Sequence, residues 1–220
     1  MTPGTRTYRP RPAVALQTFV FDLDGTLVDS LRDITLSFQY AFRVLGLSVP
    51  ATPAVRSHIG RPLEDMFAAF TETHIAALTA VYCAHYPRHL ADHASAQPGV
   101  AETLEALRWR GYKLAVATTK RTFVAEGLLQ AVGLAGYVDF IQGTDGFAHK
   151  PSPEVIYRAL ARAGGTGAWM VGDTVGDVLA GKAAGLKTYA VTWGTHDAAA
   201  LAGAGPSVLA PDLRQLLALT

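Results

Sequence analysis

Short apolar runs alternate with helical patterns along most of this chain, and that alternation restricts the possible folds more than any other feature of the sequence. The runs occupy residues 18–21, 114–117, 137–141, 168–171 and 188–191. Their apolar residues are mostly consecutive, which is typical of strands buried on both faces of a parallel sheet. The sequence therefore predicts a parallel sheet built from these runs.

Helical patterns separate the runs in the second half of the chain. Apolar residues recur every three or four positions over 100–107, 123–132 and 155–163, and a glycine suited to a helix C-terminus follows each series. This order of elements favours a layered α/β fold with right-handed crossovers. We also expect a surface loop over the Ala/Gly-rich stretch 198–205, then a short strand at 207–210 and a C-terminal helix.

One long segment interrupts the alternation. Residues 31–93 contain only helical patterns, broken by Pro50 and Pro53. We therefore predict an all-helical domain at 31–96, inserted into an α/β core formed by 17–30 and 97–220. Residues 1–16, with three prolines and three arginines among the first twelve, are expected to form a flexible tail.

Composition excludes several classes of protein. Of the 220 residues, 50% are apolar and 17% charged, which argues against disorder, and the net charge of +1 provides no general attraction for nucleic acid or an anionic membrane. No apolar run approaches the roughly 20 residues of a membrane span. Cys83 is the single cysteine and cannot form an internal disulfide, so we expect a cytoplasmic protein. The place of Cys83 in the helical block predicts that its side chain lies in the core.

Polar residues cluster at the point where each predicted strand ends. The clusters are Asp22-Leu23-Asp24-Gly25-Thr26, Thr118-Thr119-Lys120, Gly143-Thr144-Asp145 with the following Lys150, and Gly172-Asp173-Thr174-Val175-Gly176-Asp177. In open parallel sheets, ligands bind beyond the carboxyl ends of the strands. The four clusters are therefore expected to converge on one site.

The charges of these residues indicate a metal ion and an anionic substrate. Four ionised aspartates and Lys150 give a charge of −3, which would repel an anion unless a cation were bound. Oxygen ligands favour a hard divalent ion such as Mg²⁺. The hydroxyls of Thr118 and Thr119 can donate to a phosphate at a helix N-terminus, and Lys150 adds a positive charge. One carboxylate could attack phosphorus while a second protonates the leaving oxygen.

The segment from Asp22 to Ser30 (DLDGTLVDS) resembles the first motif of the haloacid-dehalogenase-like hydrolases, in its phosphatase form, and the other clusters match that family's remaining motifs in order. The resemblance covers about residues 18–195 and implies a Rossmann-like core. It assigns Asp22 as nucleophile and Mg²⁺ ligand, and Asp24 as general acid and base with a backbone carbonyl on the metal. It assigns Thr118 and Lys150 to the phosphoryl group, Asp173 to the metal, and Asp177 to the metal directly or through water.

The same resemblance gives the helical block a role. Subclass I members of this family carry a mobile helical cap at this position, which closes over the site and selects the leaving group. The subgroup most similar to this chain is that of the phosphoglycolate phosphatases and related small-molecule phosphatases, in which Asn often stands at the position of Thr119. Gly60-Arg61-Pro62-Leu63 resembles the specificity loop of the cap, so Arg61 is a candidate contact to the substrate.

The sequence therefore predicts a Mg²⁺-dependent phosphatase acting on small phosphate esters, as a monomer or a weak homodimer. Two alternatives remain open: a phosphomutase of the β-phosphoglucomutase type and a non-catalytic binder of phosphorylated ligands. Asp29 is predicted to cap the helix that follows it. His85, His89 and His93 share one helical face, for which a surface stripe is favoured over a metal site.

Overall fold

The computed structural model describes residues 17–220, so the predicted tail at 1–16 lies outside the described residues. The strands are β1 (Gln17–Phe21), β2 (Val28–Asp29), β3 (Ser95–Ala96), β4 (Lys113–Ala117), β5 (Phe140–Gln142), β6 (Thr166–Gly172), β7 (Lys187–Val191) and β8 (Val208–Ala210). Six of them form one sheet in the order β5-β4-β1-β6-β7-β8, and every pair of neighbours in it is parallel. The predicted parallel α/β fold is confirmed.

The helices fall into two groups along the chain. Those between β2 and β3 are α1 (Leu31–Val44), α2 (Thr52–Arg56), α3 (Leu63–Ala68) and α4 (Ile75–His89). Those after β3 are α5 (Val100–Trp109), α6 (Thr122–Ala131), α7 (Glu154–Ala163), α8 (Val175–Ala183) and α9 (Ala198–Gly203), with 3₁₀ helices at Ala135–Tyr137 and Leu213–Leu219. Within residues 17–220, every helix is too short or too polar to cross a membrane.

Both faces of the sheet are buried, as the continuous apolar runs predict. In β1, Phe19 and Phe21 face a core cluster that includes Leu104 of α5 and Leu128 of α6, while Val20 faces the opposite cluster with α7 and α8. Alternate residues of a strand point to opposite faces, so a strand covered on both sides needs apolar residues at successive positions.

The path of the chain brings three strand ends together. The chain passes from β1 outward to β4 and β5, and then crosses to the other side of β1 with β6. A crevice forms at the carboxyl edge where the strand order reverses, and this is the usual ligand site of such sheets. The ends of β4, β1 and β6 lie side by side there.

The helical segment has its own apolar core. Phe38, Phe67 and Tyr82, from α1, α3 and α4, belong to a buried cluster separate from those of the sheet, although Val124 of α6 also packs in it. An antiparallel pairing of β2 with β3 joins the two ends of the segment. The division into a core and a cap at 31–96 stays a prediction, with its second boundary just after β3. We refer to residues 31–96 as the cap.

Four local expectations differ from the structure. Strand β5 begins at Phe140 rather than at 137, because Asp139 uses its carboxylate to accept from Leu114 N at 2.9 Å and the residues before it form a 3₁₀ helix. The stretch 198–205 is not a loop: α9 covers most of it, and the Asp197 side chain caps this alanine-rich helix. Cys83 is exposed rather than in the core. Asp29 lies in β2, and Ser30 is the residue preceding α1.

Candidate active site

The four predicted polar clusters meet at the carboxyl edge of the sheet. Asp22 follows β1, Thr118 follows β4 and Asp173 follows β6, and all three side chains are buried. Lys150 reaches the same point from the segment between β5 and α7. The convergence expected from the parallel sheet is therefore present in the structure.

Lys150 is held by three acceptors. Its ammonium nitrogen donates to Asp22 Oδ1 at 2.6 Å, to Asp177 Oδ1 at 2.5 Å and to the Ala117 carbonyl at 3.2 Å. Burial alone would lower the pKa of Lys150, but Asp177 and Asp22 hold that pKa above its usual value. Lys150 is therefore a fixed positive charge beside Asp22.

Three carboxylates form a compact acidic cluster. One oxygen from each of Asp22, Asp173 and Asp177 lies within 4.8 Å of the others. Burial raises the pKa of Asp22 well above its usual range, with Asp177 and Asp173 adding to the effect and Lys150 opposing it. Burial, together with Asp177, also raises the pKa of Asp173 to about 6. Burial and the neighbouring carboxylates thus disfavour the ionised forms of Asp22 and Asp173.

Asp173 is fixed by bonds to both of its oxygens and by two close glycines. Thr26 Oγ1 donates to Oδ1 at 2.7 Å and Thr195 N donates to Oδ2 at 2.6 Å. A Cβ at Gly194 would lie 2.1 Å from Oδ2, and one at Gly25, which has a φ of +82°, would lie 2.4 Å from it. Only glycine leaves room for the carboxylate at these two positions.

Asp177 has no free oxygen. Its Oδ1 accepts from Lys150, and its Oδ2 accepts from the backbone N–H of Thr174 at 3.0 Å and from its hydroxyl at 2.6 Å. The bond from Thr174 N to Asp177 Oδ2, together with one from Asp177 N to Thr174 Oγ1 at 3.2 Å, forms a capping box at the start of α8. Asp177 thus anchors both Lys150 and the helix, in addition to standing near the other two aspartates.

Asp24 lies at the edge of the cluster with two partners, Ser30 and Lys120, for which the sequence predicted no role of their own. Ser30 Oγ donates to Asp24 Oδ1 at 2.5 Å, and Lys120 Nζ lies 3.2 Å from Asp24 Oδ2. Lys120 was detectable, since it directly follows Thr118 and Thr119 at a strand end. With it, four aspartates and two lysines give the site a charge of −2 instead of −3.

The three residues predicted to contact the phosphate or the substrate, Thr118, Thr119 and Arg61, differ in their burial and in their hydrogen bonds. Thr118 is buried, and its oxygen accepts from Lys120 N at 3.3 Å, so its hydroxyl proton is available to a ligand. Thr119 Oγ1 instead donates to the Gly60 carbonyl of the cap at 3.2 Å. Arg61 is exposed at the edge of the cavity.

A cavity of about 340 Å³ opens above these residues, between the sheet edge and the cap. Its base includes Asp22, Asp24, Thr118 and Lys150. The walls formed by the cap and α6 are mostly apolar and include Ile59, Leu63, Met66, Tyr82, Tyr86 and Val124. The cavity thus combines a charged base with mostly apolar walls.

Comparison with known proteins identifies the family. The model of the family described as "Haloacid dehalogenase-like hydrolase" matches residues 19–191. The probable phosphatase IndB of Dickeya dadantii is 38% identical over 208 residues, 90% of each chain. The phosphoglycolate phosphatase of Aquifex aeolicus is 35% identical over 187 residues, 81% of this chain and 86% of its own.

A solved structure is similar over nearly the full length. The haloacid dehalogenase-like hydrolase SP0104 of Streptococcus pneumoniae superimposes with a TM-score of 0.85 at 31% identity, covering 93% of this chain and 98% of its own. The matched residues include all four polar clusters at the sheet edge. The chain belongs to the haloacid dehalogenase-like hydrolases.

Proposed function

We propose that this protein is a Mg²⁺-dependent phosphatase that hydrolyses small phosphomonoesters by way of a phosphorylated Asp22. The observation that carries the proposal is the arrangement around Asp22: a lysine at 2.6 Å, a second acid two residues further on, and an open cavity above both. The names of the two related phosphatases support the same reaction class.

In the first step, a carboxylate oxygen of Asp22 attacks phosphorus and the bond from phosphorus to the ester oxygen breaks. Asp24 gives its proton to that oxygen, which departs as an alcohol. Lys150 and the Thr118 hydroxyl are placed to offset the negative charge of the phosphoryl group during the transfer. In the second step, water attacks phosphorus, Asp24 takes a proton from the water, and phosphate leaves Asp22 as a free carboxylate.

The residues present fit a magnesium ion. The donor set consists of oxygen atoms only and the formal charge of the site is −2, and both features support the binding of a hard divalent cation. Asp22, Asp173 and the Asp24 backbone carbonyl would hold the ion, with Asp177 directly or through water. When bound, the ion would offset the charge of the phosphate and of the acidic cluster.

The cavity indicates which leaving groups to test. Its cap-side walls are mostly apolar, and the charged residues Arg61, Glu64 and Arg121 that also line the cavity are exposed. Burial of apolar surface stabilises a ligand by about 25 cal/mol per Å². We expect esters with an uncharged, partly apolar body to be hydrolysed with a lower KM than 2-phosphoglycolate.

The test is phosphate release from a substrate panel. The panel contains 2-phosphoglycolate, pyrophosphate, sugar phosphates, nucleotides and aryl phosphates, each assayed with Mg²⁺ and with a chelator. Asp22→Asn is expected to abolish release, whereas Asp29→Asn, a matched change at an exposed aspartate of the same segment, should leave it intact.

Three outcomes would contradict the proposal. Near wild-type turnover by Asp22→Asn would exclude that residue as the nucleophile. Interconversion of sugar phosphate isomers with little free phosphate would indicate a phosphomutase. Binding of phosphorylated ligands without turnover under any condition would indicate a non-catalytic binder.

A further inference from the structure

Lys120 connects Asp24 to the cap. Its ammonium nitrogen lies 3.2 Å from Asp24 Oδ2 and donates to the Tyr86 hydroxyl at 2.9 Å. The same nitrogen lies 4.2 Å from the centre of the Tyr86 ring. The side chains of Lys120 and Asp24 are only 9% and 14% exposed, so water screens their attraction weakly.

The three residues come from different parts of the fold. Asp24 follows β1, Lys120 follows β4, and Tyr86 lies on α4 of the cap. Tyr86 is itself held by Tyr82, whose ring stacks on it at a centroid distance of 5.1 Å and an angle of 15°. A lysine side chain has many rotamers, and the bond to a buried tyrosine selects the one that reaches Asp24.

Lys120 also completes the restraint on the Asp24 carboxyl group. Ser30 holds one oxygen at 2.5 Å, which by itself leaves the group free to rotate about that bond. The contact of Lys120 with the other oxygen defines the plane of the group. Because Tyr86 belongs to the cap, the position of Lys120, and with it this second restraint, is supported by a contact between the cap and the core.

We propose that Lys120, held by Tyr86, is a positioning residue that orients Asp24 toward the leaving oxygen and thereby makes proton donation depend on a contact between the core and the cap. The proposal rests on the proposed function, in which Asp24 is the general acid. It assigns to Lys120 a role in the protonation of the leaving group rather than in the binding of the substrate.

Two esters distinguish a role of Lys120 in protonating the leaving group from a role in binding the substrate. Phenyl phosphate and 4-nitrophenyl phosphate share an aromatic body, but nitrophenolate leaves readily without a proton, whereas phenolate benefits from an acid. The measurement is release of the phenol in a single turnover with enzyme in excess, which reports only the transfer to Asp22. The readout is the rate for 4-nitrophenyl phosphate divided by the rate for phenyl phosphate.

Lys120→Met is expected to slow the phenyl ester about 10- to 100-fold and the nitrophenyl ester less than about threefold, so that the ratio rises. Lys120→Arg should restore most of the lost rate because it keeps the charge. Tyr86→Phe, which keeps the ring and removes the hydroxyl, should raise the ratio by a smaller amount. It also keeps the proposal testable if the methionine variant does not fold.

A matched control is available in Lys187, whose ammonium nitrogen lies 5.3 Å from the centre of the Trp169 ring. Lys187→Met should leave the ratio unchanged. An equal loss for both esters in Lys120→Met would show that Lys120 binds substrate and would overturn the proposal, as would an unchanged ratio in Tyr86→Phe. An unchanged ratio in Asp24→Asn would instead refute the general acid of the proposed function, so the two failures are distinguishable.

Discussion

Lys150 Nζ donates a hydrogen bond of 2.6 Å to Asp22 Oδ1, although the two residues are 128 positions apart in the sequence. The lysine is oriented by Asp177 on its other side and by the Ala117 carbonyl below it. The proposed nucleophile is thus paired with a cation that cannot move away without breaking two further bonds.

Lys150→Met should lower kcat by about 10²–10³-fold, because it removes a buried cation from the position where the phosphoryl charge develops. Steady-state assays on the best substrate of the panel measure the loss. Lys113→Met is the control, since Lys113 pairs with Asp139 away from the cavity. A kcat within about threefold of wild type would refute a role of Lys150 in the reaction.

Asp177→Asn should both lower kcat about tenfold or more and raise the Mg²⁺ concentration that gives half-maximal activity. The first effect follows from weaker anchoring of Lys150, and the second from loss of a charge near Asp22 and Asp173. A titration of initial rates with Mg²⁺ separates them. A lower kcat with an unchanged Mg²⁺ requirement would mean that Asp177 serves Lys150 alone and contributes nothing to the metal.

Thr118→Val and Thr119→Val form a matched pair of nearly isosteric changes. Loss of the buried Thr118 hydroxyl should lower kcat about 10²-fold, because its proton is free to donate to the phosphoryl group. Loss of the Thr119 hydroxyl removes a bond to Gly60 and should change kcat by less than about fivefold. Equal losses of kcat in the two variants would indicate that the Thr119 hydroxyl also binds the phosphoryl group directly.

Gly194→Ala should destabilise the protein by about 1–3 kcal/mol and reduce activity, because the added Cβ would lie 2.1 Å from Asp173 Oδ2. Gly203→Ala is the control: it lies in α9 with nothing within 4 Å, and the same change there should stabilise slightly. Urea unfolding of both variants gives the comparison. Equal free energies of unfolding for Gly194→Ala and Gly203→Ala would show that the space beside the Asp173 carboxylate accepts a methyl group.

Asp173 should make the stability of the chelator-treated protein depend on pH. Its pKa is raised from the usual 3.8 to about 6, so between these values the folded state keeps a proton that the unfolded chain has lost. The free energy of unfolding should therefore fall as the pH rises from 4 through 6. Asp173→Asn cannot titrate and should show a smaller fall over the same window in urea unfolding. Parallel pH profiles of the two proteins would contradict the raised pKa.

The sequence by itself determined the fold class and which polar residues meet at the carboxyl edge of the sheet. Continuous apolar runs require a strand to be covered on both faces, and the strand–helix alternation makes the sheet parallel, so the residues that follow each strand reach one edge. The sequence therefore predicts that five residues lie around one edge of the sheet: Asp22, Asp24, Thr118, Lys150 and Asp173. The sequence prediction was wrong at 198–205, where the Asp197 side chain caps a helix over a stretch predicted to be a loop.

Only the tertiary structure decided how the members of the site are paired. Both oxygens of Asp177 are occupied, Lys120 lies between Asp24 and a tyrosine of the cap, and Gly194 borders Asp173 from a loop 21 positions further along the chain. Except for the local bond between Thr174 and Asp177, each of these contacts is set by distances of a few ångströms between residues more than 20 positions apart in the sequence. Periodicity and local chemistry determine which edge of the sheet a residue reaches, but the packing of whole elements determines which atom it meets there.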